Sequence, residues 1–184
     1  MRWLSTALSV GLAILPRPAI AQQPNVDFSV SGTSTIRGWT CTVKGVMAAT
    51  PGSGKAAPGF PNGVQTATVT VQVKNFQCPE DEMRQHLMDA MKPDKFPEIV
   101  YKLEKYDMAG AQAQATGSIT IGGVSQPIAF PISVKAAPEG VQVEGETPLD
   151  MTKFGIEPPV VMLGMLKVRP DIRIAFKGVI IAAK

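Results

Sequence analysis

Apolar and polar side chains alternate with a period of two along most of the chain. Trp39, Cys41 and Val43, for example, alternate with threonine and lysine. Because successive side chains of a strand point to opposite faces, this pattern predicts strands with one buried and one wet face. Eight segments of this kind follow one another: 26–30, 39–44, 68–74, 98–104, 115–121, 128–134, 141–144 and 171–177. One-sided strands are typical of antiparallel sheets, and Gly122-Gly123 forms a hairpin-type turn between two of them.

One segment between the third and fourth predicted strands departs from this alternation. Pro79 is followed by acidic residues at 80–82, a composition that suits the positive N-terminal end of a helix. Apolar residues then recur four apart on one stripe: Met83, Leu87 and Met91. Lys92-Pro93 ends the pattern. The sequence therefore predicts a short helix whose apolar face covers the end of a sheet or barrel.

Eight mostly sequential antiparallel strands predict an all-β fold that closes into a barrel, since closure removes exposed strand edges. A barrel of eight strands either fills its interior with side chains or holds one small ligand. Ala113, Ala115 and Gly117 are small residues at inward positions of one strand. They either leave room for a long, narrow, apolar guest or meet large side chains from across the barrel. The sequence leaves both interpretations open.

The first 21 residues have the three parts of a secretory signal peptide. Arg2 is followed by a mostly apolar run over 4–15 and by the small-x-small site Ala19-Ile20-Ala21. About a dozen apolar residues are too few to span a bilayer, which needs roughly 20. We therefore expect a signal peptide over 1–21, a mature domain over 22–184, no spanning segment, and a location in the periplasm or outside the cell. Loss of the two arginines in the signal lowers the formal net charge from +3 to +1, which indicates no nucleic-acid partner.

Export places the two cysteines, Cys41 and Cys78, in oxidising conditions that favour a structural disulfide. Their separation excludes a C-x-x-C redox motif. A redox or metal pair and two buried thiols remain the alternatives. A loop of this length closed by a disulfide would gain about 3–4 kcal/mol of stability in the chain-entropy model.

The chemistry of an enzyme is not evident in the sequence. His86 is the one histidine, expected on the solvated side of the helix, and no nucleophile-elbow, HExxH or phosphate-loop motif is present. We predict neither an enzyme nor a cofactor or metal site. A metal-handling alternative would use methionines as soft ligands for copper(I): Met83, Met88, Met91, Met162 and Met165.

Four segments together resemble the YceI family of secreted bacterial proteins. These are FSVSGTSTIRGW at 28–39, MRQHLMDAMKPDKFPEI at 83–99, GSITIGGVSQPI at 117–128 and DMTKFGI at 150–156. They cover nearly the whole mature chain in the order of the family. The resemblance implies a lipocalin-like eight-stranded antiparallel barrel, with one short helix after the third strand, whose lumen holds a polyisoprenoid or a similar long amphiphile.

Candidate ligand-lining residues follow from strand parity alone: Phe28, Val30, Trp39, Val43, Val69, Val71, Val73, Ile99, Tyr101, Leu103, Ile119, Ile121, Phe130, Ile132, Ile172, Ile174 and Phe176. An apolar segment at 158–168 adds Met162 and Met165, either as a cover of the barrel mouth or as side chains packed on the helix stripe.

The sequence thus predicts a periplasmic protein that binds a long-chain isoprenoid or other amphiphilic lipid for transport or storage. The alternative is a stress-related interaction module with a filled barrel and no lipid. The oligomeric state, including a homodimer, is left open.

Overall fold

The computed structural model describes residues 25–52, 55–56, 62–138 and 140–180. The predicted signal peptide over 1–21 lies outside the described residues, as do residues 53–54 and 57–61 between β2 and β3. The strands are β1 (Asn25–Ser34), β2 (Gly38–Pro51), β3 (Val64–Gln72), β4 (Glu98–Ala109), β5 (Gln112–Ile121), β6 (Val124–Ala137), β7 (Gly140–Asp150), β8 (Val160–Val161) and β9 (Leu166–Ile180). The α-helix α1 (Asp81–Met91) follows β3.

The eight long strands close into a barrel. Each pairs antiparallel with the next along the order β1-β2-β3-β4-β5-β6-β7-β9, and β9 also pairs with β1 to complete the circle. The two-residue strand β8 lies beside the start of β9. The predicted antiparallel eight-stranded barrel with a helix after the third strand is therefore confirmed.

A bulge in β4 changes which residues of that strand face inward. The pairing with β5 shifts between Leu103 and Lys105, so that Tyr106 and Met108 face inward beyond it. Opposite the bulge, Gly117 faces Leu103, and a Cβ there would clash with the Lys102 carbonyl oxygen. Glycine is the residue that permits this approach of two backbones. Strand parity read from the sequence does not anticipate such a shift.

The third strand ends earlier than the alternation predicts. Val73, expected in the strand, instead begins a 3-10 turn (Val73–Asn75) and is fully buried. Its N–H donates to the Pro97 carbonyl oxygen at 2.8 Å, and its own carbonyl accepts from Phe76. These bonds direct the chain away from the sheet toward α1, so the expectation that Val73 lies in a strand is wrong.

Side chains fill one end of the barrel. This basal cluster consists of Val26, Met47, Val69, Ala113, Val134, Val141, Val143 and Ile180. Above it four aromatic rings cross the interior: Phe28, Phe176, Phe130 and Tyr101, with successive ring centroids 6.0, 5.6 and 5.4 Å apart. Ala115 pairs with Phe130, and Gly117 leaves space for the ring of Tyr101. The small residues of β5 therefore accommodate large side chains from the neighbouring strands.

The opposite end of the barrel is covered by α1 and by the connection between β7 and β9. The helix begins after Glu80 and ends at Lys92, which has a left-handed φ of 50°, as the sequence predicted. A disulfide joins Cys41 of β2 to Cys78 just before the helix, with a Cα–Cα distance of 4.3 Å. Among the residues that the structure describes, no helix has the length and apolar character needed to cross a membrane.

Candidate functional site

An apolar cavity of about 290 Å³ lies between the covered end of the barrel and its cover. The barrel supplies the floor and one wall, α1 supplies the roof, and residues 156–168 supply the opposite wall. The four crossing rings of Phe28, Phe176, Phe130 and Tyr101, which we call the aromatic layer, separate this cavity from the basal cluster. The lumen is thus divided into a filled half and a half with space for a guest.

Six of the residues predicted from strand parity line the cavity: Val30, Trp39, Ile99, Ile121, Ile172 and Ile174. Cys41 and Leu149, which the prediction did not include, lie among them. The Trp39 indole covers Gly32 of the neighbouring strand, where a Cβ would stand 2.5 Å from the ring. Glycine at 32 therefore gives the indole room to lie flat against the barrel wall.

The structure places the other predicted residues away from this cavity. Phe28, Tyr101, Phe130 and Phe176 form the aromatic layer, and Val69 and Ile132 belong to or contact the basal cluster. Val43 and Val71 pack with Phe76 near α1. Ile119 packs with Met151 and Phe154. Val73 lies in its 3-10 turn, and Leu103 lies at the bulge of β4. The alternation in the sequence predicts which residues of a strand face the barrel interior. Whether such a residue contacts the cavity depends on its height along the barrel axis.

The helix roof presents the predicted stripe to the cavity. Met83, Leu87 and Met91 all line it, together with Ala90 and His86. The expectation that His86 is a solvated surface residue is wrong, because its side chain is only 34% exposed and faces the cavity. The helical spacing in the sequence indicates this position of His86. Residue 86 is three after Met83 and four before Ala90, so all three lie on the same helical face.

Four described residues of the β7–β9 connection and the start of β9 form one wall of the cavity. Pro159, Val161, Leu166 and Val168 line the cavity. Met165 does not line it and is 66% exposed, and the side chain of Met162 lies outside the part of the chain that the structure describes. The described contacts of this apolar segment with the cavity therefore come from Pro159 and from residues of β8 and β9.

A small polar group occupies the mouth of the cavity. Nη2 of Arg37, in the β1–β2 turn, contacts both carboxylate oxygens of Glu80 at 2.6 and 2.5 Å. Both side chains are about half exposed, so this ion pair stabilises the fold by at most about 1 kcal/mol. It links the β1–β2 turn to the start of the helix and holds two sides of the mouth together.

Two buried polar atoms of the cavity lining have no hydrogen-bond partner among the described residues. These are Nε1 of Trp39 and Nε2 of His86. The nearest carboxylate to the histidine, Oε1 of Glu82, is 3.6 Å from Nε2, beyond hydrogen-bonding distance. An unpaired buried polar group is costly, so each such atom calls for a partner. The cavity thus offers hydrogen-bonding positions in otherwise aliphatic walls.

Tyr101, in the aromatic layer, carries a third unpaired polar atom. Its hydroxyl is buried and has no partner in the described part of the chain. Burial, with a smaller contribution from the charge of Glu104, raises the pKa of Tyr101 to about 12. The phenol therefore stays neutral at every physiological pH.

Replacing this tyrosine (Tyr101→Phe) should leave stability at pH 7 within about 1 kcal/mol, because no hydrogen bond is lost. Above pH 10 the two proteins should diverge. An unfolded tyrosine ionises near 10, whereas the native one keeps its proton until about 12. The unfolded state is therefore favoured as pH rises through this interval, and the variant should lose stability less steeply. Urea unfolding at pH 7, 9, 10.5 and 11.5 measures this difference; parallel curves would contradict it.

A closed antiparallel barrel of eight strands with an apolar cavity at one end places this protein in the lipocalin-like class of folds. The chain belongs to the YceI-like family, whose domain model matches residues 19–180. The resemblance seen in the sequence is thereby confirmed.

Solved structures with this fold include BcnA of Burkholderia cenocepacia, with 18% identity and a TM-score of 0.68 over 85% of this chain and 96% of that one. A YceI protein of Campylobacter jejuni has 18% identity and a TM-score of 0.60, with coverages of 77% and 86%. A polyisoprenoid-binding domain from Saccharophagus degradans has 11% identity and a TM-score of 0.61, with coverages of 87% and 94%. No match was found among curated proteins.

Proposed function

We propose that this protein binds a long-chain isoprenoid or a similar amphiphilic lipid in the cavity under α1, for transport or storage in the periplasm or outside the cell. The observation that carries the proposal is the cavity itself, with walls of isoleucine, valine, leucine and methionine and a mouth open at the rim. Membership of the YceI-like family and the fold shared with a polyisoprenoid-binding domain support the same function.

The free energy of such binding comes from removing hydrocarbon from water, about 0.8 kcal/mol per methylene. A volume of about 290 Å³ lies near the lower end of the range for ligand pockets, roughly 300–1,000 Å³. We infer that the cavity holds one segment of a long chain. Met83 and Met91 in the roof are flexible side chains that can move to admit more of it.

An amphiphile fits this site better than a pure hydrocarbon does. Nε1 of Trp39 is a donor, and Nε2 of His86 is either a donor or an acceptor according to its tautomer. Carbonyl or hydroxyl groups of the ligand would pair with these atoms, each of which has no partner among the described residues. The cost of burying them unpaired would then be offset in the complex.

The alternative of an interaction module without a lipid has one observation in its favour. The basal cluster and the aromatic layer fill the other half of the lumen, so no tunnel runs through the described barrel from end to end.

Solvent extraction distinguishes lipid binding from the interaction module. We expect the exported protein to release about one long-chain lipid per chain into organic solvent, with the same mass lost in native mass spectrometry. A protein that carries no lipid and takes up no added polyprenol would support the interaction module.

A larger side chain in the roof should block the cavity. Ala90 lines it from the helix, and Ala90→Trp should reduce lipid retention at least tenfold because the indole occupies the space of the ligand. Ala129→Trp is the matched control, since Ala129 is exposed on the outer face of β6 and should retain lipid normally. Lipid per chain, measured by extraction and mass spectrometry, reports both. Equal retention by the two variants would remove this cavity as the binding site.

A further inference from the structure

Four large apolar side chains of the described residues are more than half exposed, and all belong to two turns at the cavity end. Ile36 is in the β1–β2 turn, with 62% exposure, and the β7–β9 connection contributes the others: Val160 at 59%, Leu163 at 106% and Met165 at 66%. Scattered exposed apolar residues are ordinary, but their concentration at one site indicates an interaction surface. We call these four residues the rim patch.

Hydrogen bonds join the two turns into one surface. The Thr35 hydroxyl donates to the Met165 carbonyl oxygen at 2.8 Å. The Thr35 N–H donates to the Lys167 carbonyl oxygen at 3.0 Å, and the Lys167 N–H donates to the Thr35 hydroxyl at 3.1 Å. Neighbours of the rim patch in sequence, Arg37 and Leu166 among them, line the mouth of the cavity. The rim patch therefore borders the entrance.

The backbone holds Leu163 outward. Its φ and ψ are 54° and 33°, and Gly164 after it has a φ of 91°. A branched residue such as leucine is disfavoured in this left-handed conformation. The Leu163 side chain is also fully exposed, so no burial in the described part of the chain offsets the cost of this backbone conformation. Both the conformation and the exposure are explained when the side chain enters an apolar phase outside the protein.

Two cations without a carboxylate partner in the described part of the chain lie beside the rim patch. Residues 151–169 carry Lys153, Lys167 and Arg169 against one acid, Glu157, and Asp150 and Asp171 flank this segment. Lys167 and Arg169 are exposed on the outer face of β9, and neither has a carboxylate within 4.0 Å among the residues described. Apolar side chains flanked by free cations fit the interface of an anionic bilayer. Four side chains bury too little for a stable dimer, which needs about 800 Å² per partner.

We propose that the rim patch inserts into the surface of an anionic lipid bilayer and seats the cavity mouth against the membrane. Lys167 and Arg169 then contact lipid phosphates, while Leu163 and its neighbours enter the acyl boundary. A lipid passes between membrane and cavity without crossing water. The passage of lipid rests on the proposed function, whereas the docking does not.

Flotation with unilamellar vesicles tests the docking. The exported protein should float with vesicles of phosphatidylethanolamine and phosphatidylglycerol (3:1), and at least tenfold less with phosphatidylcholine alone. Leu163→Asn/Met165→Gln should lower flotation on the anionic vesicles at least tenfold; asparagine tolerates the left-handed conformation and glutamine keeps the length of methionine. Lys167→Gln/Arg169→Gln should lower it similarly. Lys102→Gln/Lys105→Gln, the control, removes two exposed charges from β4 and should float like the unmodified protein.

The variants separate docking from lipid retention. Ala90→Trp should float normally and hold at least tenfold less lipid, whereas Leu163→Asn/Met165→Gln should hold lipid normally and float at least tenfold less. Ile36→Thr gives a second, independent loss of apolar surface if the double variant does not fold. Flotation of Leu163→Asn/Met165→Gln at the normal level, or no flotation of the unmodified protein, would overturn the proposal. So would a dimer in light scattering that the same variant dissociates, because the rim patch would then be a protein interface.

Discussion

Replacing Phe130 by alanine should destabilise the protein by about 3–5 kcal/mol. The ring is only 8% exposed and lies between those of Tyr101 and Phe176, with centroids 5.4 and 5.6 Å away. Its removal takes away both aromatic contacts and leaves a void that the surrounding barrel, held by continuous strand pairing, cannot fill by collapse. Equilibrium unfolding in urea measures the loss, provided that the slope of the transition is unchanged.

The matched control at this position is Phe130→Leu, which keeps much of the side-chain volume and should cost less than half as much. A loss below about 1 kcal/mol for Phe130→Ala would show that the aromatic layer contributes little, contrary to its burial and contacts.

Removing the disulfide should cost about 3–4 kcal/mol, because it closes a loop over a sequence separation of 37. The expected consequence is also local. Cys78 lies just before α1, so the bond anchors the start of the cavity roof to β2. Cys41→Ala/Cys78→Ala should therefore unfold at lower urea concentration and retain less lipid.

Chemical reduction separates the effect of the bond from that of the sulfur atoms. The unmodified protein in excess dithiothreitol keeps both thiols in place, including that of Cys41, which is buried with 1% exposure. It should show most of the loss seen in the double alanine variant. Identical unfolding curves for the oxidised and reduced proteins would mean that strand pairing and the helix contacts alone hold the roof.

The sequence by itself determined the helix and, apart from Val73 and the part of β4 beyond its bulge, the strands and their inward faces. Alternation with period two is a local property of each strand, so Val30, Trp39 and Ile174 were assigned to the correct face without knowledge of their neighbours. The stripe of Met83, Leu87 and Met91 likewise follows from helical spacing alone and lines the cavity roof. Such patterns need only the chain itself.

Tertiary structure alone decided how deep each inward residue lies and what it meets there. Tyr101 and Ile99 share one face of one strand, yet the first fills the aromatic layer and the second lines the cavity. Their difference depends on the register between strands and on the rings that cross from the opposite wall, which involve residues far apart in sequence. The bulge at Leu103 also depends on such contacts. The alternation in the sequence tells which face of a strand a residue lies on, whereas closure of the barrel fixes the height of that residue along the barrel axis.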